Sequence, residues 1–159
     1  MIDGTLLEHG LAKRNGPRPL TTKTNPHSQL DQQPPQPMSR KLAERISALD
    51  GVTTGHSNRA PLGTLGFFLP EGKGPSRAFM LGPEFAHIHP GPDHSLHMTL
   101  PESVRAEAIA KGWAEPHPLA GQPTVSKDIV LVFAPRDESE LDTVTRLATA
   151  SWAYARGIK

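Results

Sequence analysis

The sequence predicts an α+β fold, a mainly antiparallel sheet of about five to six strands with three helices packed on one face. Short stretches of period-two alternation crowd together between residues 52 and 100, divided by Gly/Pro turns. Stretches of helical periodicity stand before, after and at the end of that run. No GxGxxG or P-loop glycine pattern occurs, and too few strands alternate with helices for a parallel βαβ sheet.

Ser39 is placed to cap a helix through Leu49, with Leu42, Ile46 and Leu49 on one face and Asp50-Gly51 as its stop. A strand begins at Val52 to Thr54, and residues 55 to 62 read as loop. Leu65, Phe67 and Leu69 alternate with Thr64, Gly66 and Phe68 as a strand, and Arg77 to Leu81 reads as its returning partner. A second hairpin, Ala86 to Leu100, turns at Pro90-Gly91-Pro92-Asp93. Pro101 opens a helix with Val104, Ala108 and Lys111 on one stripe, ended by Gly112. Asp128 to Ala134 is a strand apolar on both faces, so both should be covered. Asp137 and Glu140 cap the last helix, which buries Leu141, Val144, Leu147, Ala148, Trp152 and Ala155 and stops at Gly157.

The chain of 159 residues suits one domain, but 36% hydrophobic content with 17 prolines is lean for a globule. The deficit concentrates in residues 16–37, where Leu20 and Leu30 are the only aliphatic side chains. Residues 1–37 are therefore expected to be a disordered Pro/Gln-rich extension, with one frayed helical turn around Leu6, Leu7 and Leu11, and residues 38–159 the folded domain. Met38 sits on this boundary and is a candidate start of translation.

Charge and composition exclude several classes of function. From residue 39 onward thirteen basic residues balance thirteen acidic ones, with only Arg40-Lys41 clustered, which argues against nucleic acid as a partner. Zero cysteines exclude disulfides, thiolate metal sites and a Cys nucleophile. No apolar run is long enough to span a bilayer, so a cytoplasmic location is expected. No Ser-His-Asp order or G-x-S-x-G elbow supports acyl transfer.

Five of the eight histidines fall between positions 87 and 117. His87 and His89 share a strand face. If the hairpin closes around residues 90–94, His87 lies opposite His97 and His89 opposite Ser95, with facing Cβ atoms about 4.5–5.5 Å apart. Three converging imidazoles suit a divalent metal such as zinc, copper, nickel or iron, with His94 or water completing the shell. The same three suit acid–base chemistry on a small ligand, or a purely structural role. Asp93 and Glu84 are the nearest carboxylates for outer-shell support. Trp113, Glu115 and His117 are presented by an extended segment held by Pro116 and Pro118. Arg136 stands at a helix N-terminus, where it needs either an anionic ligand or a salt bridge to Glu138 or Glu140.

The linked segments AFMLGPEFAHIHP, SLHMTLP, KGWAEPHPLAG, VLVFAPRDESEL and SWAYARG resemble the small bacterial "luciferase family" domain, also found within longer fungal proteins. The likeness runs over about residues 38–157. It carries His87, His89, Pro90, Ser95, His97, Trp113, Glu115, His117, Pro118, Pro135 and Arg136 onto this chain, and the segment before Met38 has no counterpart. It implies fold rather than reaction. Roughly 120 residues cannot build a flavin-binding βα barrel, and nothing points to flavin or NAD. The order of elements is also similar to MmcQ/YjbR-like domains, without their lysine-rich segment. Two functions remain open: a small-ligand or metal site, catalytic or not, on the histidine face, or a non-catalytic interaction module with structural histidines that binds a protein partner rather than DNA.

Overall fold

The computed structural model describes residues 10–57 and 60–158. Six strands form one antiparallel sheet: β1 (Thr53–His56), β2 (Leu65–Phe68), β3 (Glu84–Ile88), β4 (Leu96–Thr99), β5 (Ala114–Pro116) and β6 (Ile129–Val132), in the order β1-β2-β3-β4-β6-β5. Among the described residues, the helices are α1 (Gln36–Ser47), α2 (Glu102–Ala110) and α3 (Glu138–Arg156). The expected α+β class stands. No helix among the described residues is long and apolar enough to cross a membrane.

The main core lies between one sheet face and the helices. Leu42 and Ile46 of α1 and Leu141, Val144, Leu147 and Ala148 of α3 meet Ala86, Ile88, Leu96, Met98, Val130 and Val132 of the sheet. Because side chains alternate across a strand, His87, His97 and Leu131 must point to the opposite face. Helix α3 begins as its sequence requires, with Asp137 Oδ1 accepting the Glu140 N–H at 2.9 Å, and ends at Gly157 with φ 88°.

Helix α1 begins at Gln36, three residues before Ser39, because a proline in its first turn needs no hydrogen-bond partner there. The Ser39 hydroxyl bonds His94 Nδ1 instead, at 2.9 Å. Arg77 to Leu81 is not the returning strand. Pro75 precedes a 3₁₀ turn at Ser76–Ala78, Gly82 takes φ 58°, and β2 pairs with β3. β5 is an edge strand where only an extended loop is expected, and the edge tolerates Pro116, which has no N–H to donate.

The largest departure is at the N-terminus. Of the residues expected to form a frayed turn, Leu6 and Leu7 lie outside the described residues, while Leu11 is buried in the core. Residues 10–37 are not a detached tail but a strap laid on the domain. Its backbone bonds α2 and the turn after it, through Leu11 N to Glu107 Oε2 at 2.7 Å and Arg14 N to Lys111 O at 2.9 Å. Arg18 reaches the carbonyls of Ala114 and Ile109. Gln29, itself buried, accepts from the Ala134 N–H at 2.9 Å. The Arg14 guanidinium lies 5.4 Å over the Phe133 ring, on the face of the last strand that the helices do not cover. The strap therefore gains its contacts through polar groups and arginine stems, so a low aliphatic content does not leave it loose.

Arg136 ties the strap to α3. It pairs with Glu140 at 2.6 Å, donates to Gln32 Oε1 at 3.1 Å and to the Asn15 carbonyl at 2.8 Å. Arg136→Ala should raise amide exchange across residues 14–33 by about tenfold or more while β3 and β4 keep their protection. Equal acceleration in strap and sheet would contradict this division.

Candidate ligand and metal site

Strand register writes a row across the sheet: Gly66, His87, His97, Leu131 and Glu115 stand opposite one another in turn. The expected pairing of His87 with His97 is present, and His89 N bonds Ser95 O at 2.9 Å beyond the strand ends. A β-bulge completes one end of the row. Phe67 pairs with Ala86 but Phe68 with Glu84, so Phe85 is the extra residue. Phe85 and Ala86 both enter the core, which turns Glu84 onto the face of His87. A Cβ at Gly66 would lie 3.3 Å from Glu84 Oε2 and 2.8 Å from the Phe68 ring, so a bare backbone there leaves the carboxylate room.

The result is a continuous chain of hydrogen-bonding groups. Glu84 Oε2 is 2.9 Å from His87 Nδ1, and His87 Nε2 is 3.1 Å from His97 Nδ1. His97 Nε2 is 3.0 Å from Nδ1 of His27, which the strap inserts, and His27 Nε2 is 2.6 Å from Glu115 Oε2. Two further imidazoles flank the chain. His89 directs Nδ1 at Ser95 Oγ (3.1 Å) and Asp93 Oδ2 (3.4 Å), its ring 4.8 Å from His97. His117 lies 5.0 Å from His97 and accepts the Leu119 N–H on Nδ1 at 3.0 Å. His97 thus touches all four other rings and is only 5% exposed.

Counting protons defines what this chain wants. Five groups in line make four gaps, and three neutral imidazoles carry one N–H each. With acceptor-only carboxylates at both ends, His87 donates from Nδ1 and His27 from Nε2. His97 can fill one of the two gaps beside it. The other is left with two facing lone pairs, a place for a cation. Among the described residues, two sets of three histidines bring ligand nitrogens within 4.8 Å of one another, His87/His89/His97 and His27/His97/His117, and they share His97. The histidine cluster is a candidate site for metal or ligand.

A cavity of about 450 Å³ opens over the cluster, bordered by all five imidazoles and by Met80, Leu119, Val125 and Ile129. Among its described lining residues only Asp93 carries a formal charge apart from the histidines. The remaining anticipated residues are placed as follows. His94 turns away to Ser39, Ser95 holds His89, and Glu115 ends the chain. Trp113 is not a pocket wall: its indole N–H bonds Ala12 O at 2.7 Å and its ring lies in the main core. Arg136 makes the salt bridge to Glu140, so no anion is needed to account for it. His27 was not foreseeable, since nothing in NPHSQ marks a ligand. Glu84 could be placed only with knowledge of the bulge, and its Oε1 is buried without a hydrogen-bond partner.

Burial pushes the imidazoles of His97, His87 and His27 below the ordinary histidine range. At His97 the four neighbouring rings add repulsion, while Glu84 and Glu115 partly restore His87 and His27. Repulsion between imidazoles is therefore secondary to desolvation. The unfolded chain binds protons on these groups near pH ~6.5 and the folded protein only at lower pH. Stability of the metal-free protein is complete above about pH 6.5 and should fall as pH drops below it. Urea midpoints between about pH 7.5 and 5.5 test this, and a flat profile would contradict it.

Residues 82–151 match a family model described as "Luciferase domain", a span holding four of the five imidazoles and leaving His27 outside. Among curated proteins, one called "Luciferase" from Armillaria ostoyae is 32% identical over 91% of this chain and 60% of its own length. Another of that name from Armillaria gallica is 30% identical over the same shares, and one from Neonothopanus nambi is 37% identical over 45% of this chain and 27% of its own. The chain thus spans about three fifths of the first two relatives. No solved structure matches it.

Proposed function

The chain carries a luciferase-family domain, and on that premise we propose that it binds one divalent transition-metal ion through His87, His89 and His97, beside a cavity for a small organic molecule. The observation that supports this reading most directly is the pair of nitrogens, His87 Nε2 and His97 Nδ1, facing each other at 3.1 Å with a carboxylate behind His87. Two nitrogens on one tetrahedral zinc lie about 3.3 Å apart, so the gap needs to open by only a few tenths of an ångström. Nitrogen donors without thiolate suit zinc, copper, nickel or iron. Such an ion would polarise an oxygen or nitrogen of a molecule in the cavity.

The protein's own groups do the rest. Glu84 holds His87, and Asp93 with Ser95 holds His89, each through Nδ1, which leaves Nε2 of both rings as a donor of electrons. The cavity's aliphatic wall and lack of Lys or Arg favour a molecule with a largely apolar body over a phosphate or polyanion.

Elemental analysis of untagged protein should find about one ion per chain after equilibration with Zn²⁺. His89→Ala should abolish uptake, Glu84→Gln should weaken it by about 10–100-fold, and His94→Ala should leave it unchanged. A folded protein that takes up no metal, and loses stability alone in the His89 and His97 variants, would establish structural histidines instead.

A further inference from the structure

We propose that His27 and Glu115 are positioning residues for His97: they hold its proton on Nε2 and so direct a metal to Nδ1, the side shared with His87 and His89. This rests on the metal-binding reading above and decides between the two histidine sets that share His97. Glu115 also accepts from the Thr21 hydroxyl at 2.8 Å on the same Oε2 that faces His27. A carboxylate can only accept, so His27 donates from Nε2 and turns an Nδ1 lone pair toward His97 Nε2. That lone pair is the acceptor for the proton His97 must carry once its Nδ1 is engaged by metal.

The flanking rings make the same choice. Ser95 Oγ donates to Asp93 Oδ1, so it accepts from His89 Nδ1, and His89 Nε2 is left with a lone pair. His117 is the reverse: its Nδ1 accepts from Leu119, so its Nε2 carries the hydrogen and repels a cation. Three lone pairs therefore meet on the His87 side of His97, whereas on the other side His97 Nε2 and His117 Nε2 both carry hydrogens and the His27 Nδ1 lone pair is taken by the first of them. The strap and the β5 edge, which supply His27 and Glu115, fix the polarity of the chain without touching the ion.

Long-range ¹⁵N–¹H correlation spectra of the full chain loaded with Zn²⁺ test this. The His97 ring should be bound through Nδ1 and protonated at Nε2, with His27 protonated at Nε2. Glu115→Ala should lower Zn²⁺ affinity by about 10–100-fold, and Glu115→Gln, whose amide oxygen can still accept, should recover most of it. Zinc on His97 Nε2, or unchanged affinity in Glu115→Ala, would overturn the positioning role while leaving metal binding intact. Absence of zinc uptake by the wild-type chain would overturn the metal reading itself, and the positioning role with it.

Discussion

Five imidazoles share one buried face of a sheet, and the low polarity there does not tolerate several positive charges at once. Keeping His27, His87 and His97 neutral is the constraint around which the rest is arranged. A neutral imidazole has a direction, one nitrogen giving and the other receiving. The carboxylates of Glu84 and Glu115 anchor both ends of the row and so settle the direction of the rings next to them. Only the central ring, His97, is left with a choice, and its neighbours make it.

Each structural device in the domain serves that row. Strand alternation separates the work of the two sheet faces: helices α1 and α3 pack the side of Ala86, Ile88, Met98 and Val130, and the histidines have the other. The bulge at Phe85 carries Glu84 across from one side to the other. The strap closes what the helices cannot reach, by bringing His27 between His97 and Glu115. Its attachment through Arg14, Arg18, Gln29 and Arg136 makes the site dependent on residues far away in sequence.

Much of this was legible in the sequence wherever a local rule decides the outcome. The hairpin pairing His87 with His97 followed from period-two alternation and the proline-glycine turn, and the caps of α3 from Asp137, Glu140 and Gly157. What was not legible depends on non-local contacts. The strap looked unfoldable because aliphatic content measures only one way of docking, and this segment docks through arginines and backbone hydrogen bonds. Residues 77–81 carried a strand-like pattern, yet the 3₁₀ turn after Pro75 and the turn at Gly82 limit their pairing to a single bridge between Leu81 and Glu84. Trp113 beside Glu115 and His117 suggested a shared surface, but Trp113 precedes β5, and its indole packs in the core and donates to the Ala12 carbonyl of the strap.

The position of a bound cation would decide between the two histidine sets that share His97. Anomalous diffraction at the zinc edge from zinc-loaded crystals locates it directly. A single peak about 2.1 Å from Nε2 of His87, Nε2 of His89 and Nδ1 of His97 is the expected result. A peak between His27, His97 and His117, or zinc held only at surface carboxylates, would contradict it.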